Sequence, residues 1–563
     1  MVHFNETKQN EQIKSLRRKE EERVIEILAQ KYNMPYIFIT PMVIEIKALS
    51  IITEETARGA FIAVFGTGIK KQIKVAVFSP LNQKTEQALR ALQQRGFQVI
   101  TYLASKESLG VVWEKYKEIS RATKADAGLV GIMNDDILGL IESITNLNQI
   151  TDQINTLLAT KSQKNFSRIF ELMLAGAFAI KASDIHIEPQ EDSVRIRYRI
   201  DGALQDMCFI DHILYHRIIT RIKLLSGLKL NITKDTQDGR FSVKIKNIEI
   251  EIRTSVLPGQ HGESIVMRIL DPASISVPLE ELGINNHLFE ILKKEISKPT
   301  GMILTTGPTG AGKTTTLYAF LKKVLHPDIK IITIEDPIEY HIKDIVQTQV
   351  NNQTNYTFLS GLRAALRQDP DIIMVGEIRD GETAKIAINA ALTGHLVFSS
   401  LHTNSAVGTI ARLVDLGVSP KVLTVALNVC MAQRLVRKLC PQCKKEYEPS
   451  DTKKVLIETI IKNIQEKQPS KEIALSVTYK ASDGGCDHCN NSGYKGRIGL
   501  YEAILIDSEL EDTLITNPTE KELIEKTKHQ GILSIREDGI IKILEGITSL
   551  EELARVVDIE KDL

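Results

Sequence analysis

The sequence predicts a multidomain α/β chain with a small N-terminal α/β domain, a central α+β domain and a C-terminal phosphate-loop domain. Three observations carry this. First, GPTGAGKTTT (Gly307 to Thr316) follows the apolar run Met302-Ile303-Leu304 and leads into a helix-forming stretch, the setting a phosphate-binding loop requires. Second, the apolar runs before Glu335-Asp336 and before Glu377 read as buried strands with acids at their carboxyl ends. Third, apolar and polar residues alternate with period two through Ser183–Gly202, as in half-buried strands.

At 563 residues the chain is too long for one core, and several domains are expected. Residues 1–30 are highly charged and predicted helical, ending in Val24-Ile25-Glu26-Ile27-Leu28. Residues 31–118 alternate short helices and strands, including IKVAVFSP (Ile73 to Pro80) and FQVITYLA (Phe97 to Ala104). They carry no catalytic cluster, so docking or regulation is the expected use. Residues 119–164 read as a linker with a loose helix. Residues 165–278 form the α+β domain: the amphipathic helix FSRIFELMLAGAFAI, the strands SDIHIEP and VRIRYRIDG, the helix YHRIITRIKLLSGL, then FSVKIKNIEIEIRTS and ESIVMRIL as further strands. Residues 279–563 form the phosphate-loop domain, with a cysteine-bearing insertion at 437–494 and a helical C-terminal part.

Lys plus Arg equals Asp plus Glu at 71 each, which argues against a chain built to grip nucleic acid. The longest apolar runs fall well short of the roughly 18 residues that span a bilayer, and the first residues lack the apolar core of a signal peptide. The expected setting is cytoplasmic, with any membrane association made through partners.

In the phosphate loop, Gly307, Pro308, Thr309, Gly310, Ala311 and Gly312 let backbone N–H groups curl around phosphates, with Thr315 closing the segment. Lys313 reaches the outer phosphates and Thr314 can hold Mg²⁺. Hydrolysis of a phosphoanhydride needs Mg²⁺ to offset charge and a carboxylate to orient or deprotonate water. IKIITIEDPIEY supplies Glu335, Asp336 and Glu339, and DPDIIMVGEIRD supplies Glu377, preceded by Gly376 where an Asp is common. LVFSSLHTN ends a further strand at His402, which could bond the outer phosphate and report its presence; His395, before that strand, reads as structural or a supporting group.

Six cysteines are few, and four cluster: Cys440 and Cys443 in LCPQCK, Cys486 and Cys489 in GGCDHCN. Paired CxxC turns present four thiolates tetrahedrally, so a structural Zn²⁺ is expected with no open catalytic position. Glu446 to Ala481, between the pairs, reads as a solvated excursion rich in Lys and Glu. Cys208 and Cys430 sit in apolar company and read as packing residues.

Taken in order, these boxes resemble the type II/type IV secretion ATPase family. Lys313 falls on its phosphate-loop lysine, IEDPIEY resembles its aspartate-rich box, RQDPDIIMVGEIRDGETA its magnesium-associated box and GHLVFSSLHTN its histidine box. Gly376 matches the family's own glycine; Gly381 and Ser405 are small departures. The resemblance covers Ser183 to Val557 strongly and the N-terminal domain more loosely. It implies a RecA-like ATPase domain with Glu377 as catalytic glutamate. It also implies that Arg240, Arg253 and Arg268, in the preceding domain, face the phosphates and offset charge on the transferred group. Arg195, Arg197 and Arg199 read instead as a solvated strand face, and Asp184, His186 and Glu188 as a stabilising polar network.

The expected function is therefore an ATP-hydrolysing homo-hexameric ring that powers type IV pilus assembly or type II secretion. Its expected partners are an inner-membrane platform protein and a cytoplasmic, membrane-associated docking protein. The rival readings are a DNA-uptake or nucleic-acid translocation ATPase, and a nucleotide-gated scaffold without turnover.

Overall fold

The structure is a computed structural model describing residues 20–39, 46–49, 51–52, 54–67, 72–122, 129–131, 139, 141–159, 165–245, 248–271, 276–351, 354–469, 473–475, 477–516 and 518–560. The charged stretch 1–19 and much of the expected linker (123–128, 132–138, 160–164) lie outside the described residues. The chain divides into two compact units, residues 1–131 and 132–563.

In the first unit, strands β1 (Ile62–Thr67), β2 (Gln72–Val77) and β3 (Gln98–Leu103) form a sheet in that order. β1 and β2 pair antiparallel, while β2 and β3 run parallel. A parallel step needs a crossover, and the helix Gln83–Gln94 supplies it, capped by the Asn82 side chain accepting from the Lys84 N–H at 2.9 Å. Residues 20–31 are helical and share this core, burying Ile25 and Ala29 in it. Glu22 pins that helix, accepting from the Tyr36 hydroxyl at 2.6 Å and from Ser105 and Ser108 at 2.5 and 3.0 Å. A short strand, β4 (Leu129–Gly131), is the unit's last element.

The second unit holds two large sheets and the small antiparallel pair Lys445–Tyr447 with Thr478–Lys480. β5 (Asp184–Pro189), β6 (Val194–Ile200), β7 (Ala203–Ile210), β8 (Gln237–Ile245), β9 (Ile248–Gly259) and β10 (Gly262–Leu270) pair antiparallel in the order β8-β9-β10-β5-β6-β7. Val194, Ile196, Tyr198 and Ile200 point inward, and the Tyr198 hydroxyl donates to the Met173 carbonyl of the covering helix Asn165–Ala179 at 2.7 Å. The outward arginines are not simply solvated. Arg195 pairs with Asp206, Arg197 with Glu188 and Arg199 with Asp184. Opposite charges on facing strands stabilise the exposed face, which gives the Asp184-His186-Glu188 segment its place in a polar network. The helix Leu147–Ala159, from the expected linker, buries Leu147, Ile150 and Ile154.

The second sheet contains β11 (Gly301–Thr306), β12 (Ile331–Glu335), β13 (Val346–Gln349), β14 (Ile372–Val375), β15 (Leu396–Leu401), β16 (Leu427–Leu439) and β19 (Tyr494–Leu505), in the order β13-β12-β14-β15-β11-β16-β19. All neighbours are parallel except β19, antiparallel to β16. Successive residues feed opposite faces: Met302 and Leu304 enter one core, Ile303 the other; Ile373 and Val375 one, Ile372 and Met374 the other. Burial on both faces is why these strands read as unbroken apolar runs.

The segment Glu446–Ala481 departs from its expectation. It carries β17 (Lys445–Tyr447), the helix Asp451–Lys467 and β18 (Thr478–Lys480). Ile457, Ile460, Ile461 and Ile464 of that helix are buried in the main core, and Lys467 pairs with Glu537 at 2.8 Å. The i, i+3, i+4, i+7 spacing of isoleucines outweighs the high charge around them.

Candidate active site at the phosphate loop

Parallel pairing brings the carboxyl ends of β11, β14 and β15 to one edge of the sheet: Thr306 lies opposite Leu401, and Val375 opposite Ser399. The phosphate loop leaves β11 there and enters the helix Lys313–Val324. Gly307 and Gly312 have φ of +145° and +91°, which L side chains rarely adopt, and a Cβ on Gly307 would stand 2.6 Å from the Gln433 carbonyl oxygen. Lys313 Nζ folds back, donating to the Gly307 and Pro308 carbonyls at 2.7 and 3.3 Å. Burial holds its pKa below the ordinary lysine value, with Glu377 opposing that shift and Arg434 adding to it. Thr314, in the first turn of the helix, is exposed and open to a cation.

Ser399 and Ser400 donate to the Val375 and Gly376 carbonyls at 2.7 and 2.8 Å, and the Ile378 N–H donates to the Ser400 carbonyl at 3.0 Å. These bonds hold the end of β14 against β15. Glu377 is thereby set beside His402, whose Nε2 lies 3.1 Å from the Glu377 Oε2. The other carboxylate oxygen accepts from Arg379 Nε at 2.7 Å, and Arg379 also lies 3.6 Å from Asp336. His395 stands at the amino end of β15, its Nδ1 3.0 Å from the Ala390 carbonyl, a strand length from this edge.

Glu335 ends β12. It is buried and accepts from Tyr318 OH, from Thr333 Oγ1 at 2.5 Å and from Gln347 Nε2 at 3.1 Å. Burial raises its pKa above the ordinary carboxyl value against the pull of these donors. Glu339, four residues on, points elsewhere and meets Arg253 at 3.3 Å.

The sheet register explains the upstream arginines. Arg240 lies opposite Arg253, Arg253 opposite Arg268, and Arg268 opposite Asp184, so three arginines form one lateral row across β8, β9 and β10. Arg253 also donates to the Ile338 carbonyl at 2.9 Å, so this one arginine meets the phosphate-loop domain. Arg268 bonds Asp184 at 3.0 Å, and the exposed Arg240 lies 3.5 Å from Glu251, both within their own sheet.

Sequence reading passed over Gln433 and Arg434, which flank the loop. Gln433 is fully buried. A polar pair inside the apolar run Leu427–Val436 was the available signal, since a buried amide needs a partner.

Away from this edge, Cys440, Cys443, Cys486 and Cys489 place their sulfurs within 4.8 Å of one another. Contacts of 3.8 Å (Cys440 to Cys486), 3.8 Å (Cys443 to Cys489) and 3.7 Å (Cys486 to Cys489) make a compact set able to hold a metal ion. Cys208 and Cys430 are buried, and burial pushes both thiols up to about 12.

Compared with known proteins, residues 159–555 match the family described as Type II/IV secretion system protein. The chain is 39% identical over 485 residues to the Type II secretion system ATPase E of Vibrio cholerae, covering 86% of this chain and 92% of that protein. It is 35% identical over 535 residues to the Type IV pilus assembly ATPase PilB of Myxococcus xanthus, covering 95% and 91%. The solved structure of the ATPase DotB from Yersinia pseudotuberculosis overlays with a TM-score of 0.50 at 19% identity, covering 70% of this chain and 94% of that one, a likeness of fold.

Proposed function

We propose that this chain, which belongs to the Type II/IV secretion system protein family, is an ATP-hydrolysing motor of the kind that powers type II secretion or type IV pilus assembly. The single observation that carries the chemistry is the meeting of Lys313, Glu377 and His402 at the carboxyl edge of the parallel strands β11, β14 and β15. ATP binds with its phosphates on Gly307–Thr315, and Lys313 leaves its two loop carbonyls to meet the outer phosphates. Thr314 holds the Mg²⁺, which supplies charge neutralisation. Glu377 orients and deprotonates the attacking water, while His402, hydrogen-bonded to Glu377, senses the terminal phosphoryl group.

Arg253 is the arginine best placed to couple the preceding domain to this chemistry, because it already touches Glu339 and the Ile338 carbonyl. Arg240 and Arg268 share its row and serve phosphates when domains close, in the same subunit or a neighbouring one of a homo-hexamer. Domain limits of 31–118, 165–278 and 279–563 suit this division of labour.

The four cysteines hold a structural Zn²⁺. Zinc–sulfur bonds of about 2.3 Å in a tetrahedron put sulfurs about 3.8 Å apart, which agrees with the spacings of 3.7 and 3.8 Å. No described helix is long and apolar enough to cross a membrane. The chain works on the cytoplasmic side, held at the inner membrane by a platform protein and, through the first domain, by a docking partner.

The deciding experiment measures Mg²⁺-dependent phosphate release by the full chain and by Glu377→Gln. Turnover that is lost with nucleotide binding retained supports the motor; an unchanged rate sinks the assignment. Native mass tests the hexamer.

A further inference from the structure

β16 is longer than its neighbour β11 and overruns it at the carboxyl edge of the sheet. Ala432 lies opposite Thr306, the last residue of β11, so Gln433 and Arg434 run on beside the phosphate loop. Gln433 Nε2 donates to the Ala311 carbonyl at 2.7 Å, while Gln433 Oε1 has no partner among the described residues. An apolar side chain of similar size would bury no unpaired oxygen, so the amide's use here is its donor. Ala311 is where the loop turns toward Lys313, and its carbonyl must point away for neighbouring N–H groups to face a phosphate.

Arg434 reaches across the loop. Its Nη2 donates to the Asn404 carbonyl at 2.9 Å, two residues beyond His402. Its Nη1 donates to the Gln433 carbonyl at 2.9 Å and stands 3.2 Å from the point a Cβ on Gly307 would occupy. Thr306 Oγ1 and Thr403 Oγ1 lie 2.7 Å apart, and the Thr403 N–H donates to Thr306 Oγ1 at 2.8 Å. The root of the loop and the exit of the histidine strand are therefore tied directly through Thr306–Thr403, and Arg434 bonds Asn404 beside Gly307. Burial lowers the pKa of the guanidinium, and the charge of Glu502 opposes that shift. Glu502 is itself fixed by the Ala406 and Ile535 N–H groups at 2.8 and 3.2 Å.

We propose that Gln433 and Arg434 are positioning residues: Gln433 sets the shape of the phosphate loop, and Arg434 keeps His402 in register with it. The inference rests on the reading of Gly307–Thr315 as the ATP site. Its consequence is a division of effects. Loss of the Gln433 donor loosens the loop and weakens binding of any nucleotide. Loss of the Arg434 tie leaves the loop able to bind, but lets His402 drift from the phosphoryl group that reacts.

The test uses the full-length chain with Mg²⁺, fluorescent ADP for binding and steady-state ATP hydrolysis for KM and kcat. Gln433→Met is expected to weaken ADP binding about tenfold while kcat changes by less than about threefold. Arg434→Gln is expected to lower kcat at least about tenfold with ADP affinity within about threefold, and Arg434→Lys to recover part of that loss. Equal losses of kcat and ADP affinity in Arg434→Lys overturn the proposal, because they indicate general damage to the site. So does an Arg434→Gln chain with both within about twofold of the parent. If Arg434→Gln lowers the melting temperature, Arg434→Lys is the variant that decides. Lys313→Ala separates the two levels. Nucleotide binding retained there removes the ATP-site reading itself, whereas binding lost there with Gln433→Met and Arg434→Gln unaffected removes only this inference.

Discussion

Glu377 Oε2 and His402 Nε2 stand 3.1 Å apart at the ends of adjacent parallel strands, although 25 positions separate them in the chain. A carboxylate held by an imidazole on one side and by Arg379 on the other is oriented before any substrate arrives. Glu377→Gln keeps that shape and removes the carboxylate proposed as the base. We expect phosphate release to fall about 10²–10⁴-fold with nucleotide affinity within a few-fold. A parallel binding titration checks that the site is still filled.

Arg253 and Glu339 form an ion pair, at 3.3 Å, between the antiparallel sheet and the phosphate-loop domain. If Arg253 only ties the two together, Glu339→Ala should impair turnover as much as Arg253→Ala does. If it also serves the phosphates, Arg253→Ala should fall about tenfold or more below Glu339→Ala, with little rescue by Arg253→Lys. We expect the second pattern, and steady-state ATPase rates of the three variants decide it.

The cysteine centre has a readout far from its sulfurs. Asn490, next to Cys489, accepts from the Leu147 N–H at 2.8 Å, and Asp201 accepts from the Gly496 N–H at 2.7 Å. Cys486→Ser should abolish a zinc content of about one per chain. It should also speed amide exchange at the start of the helix Leu147–Ala159. Unchanged exchange in the metal-free chain would show that the centre does not support this contact.

Glu335 links stability to pH. Its pKa is raised by burial in the folded chain, so folding favours its protonated form. That advantage is complete below the ordinary carboxyl pKa and is lost as pH rises through the raised folded value. Glu335→Gln cannot ionise. Its melting temperature relative to the parent should therefore climb as pH increases across this acidic window. A constant difference between the two proteins would refute the linkage.

Local patterns made much of this legible. The phosphate loop, the acid-ended strands and the alternating strand Val194–Ile200 each follow from residue type and spacing, because a loop needs glycine and a buried strand needs an apolar run. The helix Asp451–Lys467 was obscured because its charge outweighed four isoleucines whose partners lie far along the chain. Glu335 and Glu339 look alike in IEDPIEY, yet one is buried under Tyr318 and the other meets Arg253. Glu335 ends its strand and faces the core, whereas Glu339 lies four residues beyond the strand, and only the tertiary structure shows their partners.

The sequence alone determined which groups are available: a glycine-rich loop with a lysine, strands ending in Glu377 and His402, four paired cysteines and a series of arginines. Tertiary structure decided which of them meet. Parallel register carried Glu377 to His402, antiparallel register lined up Arg240, Arg253 and Arg268, and the overrun of β16 past β11 put Gln433 and Arg434 against the loop. Periodicity along one strand sets the face on which a residue lies, whereas its cross-strand neighbour depends on register and on strand order, which are settled by packing between segments distant in sequence.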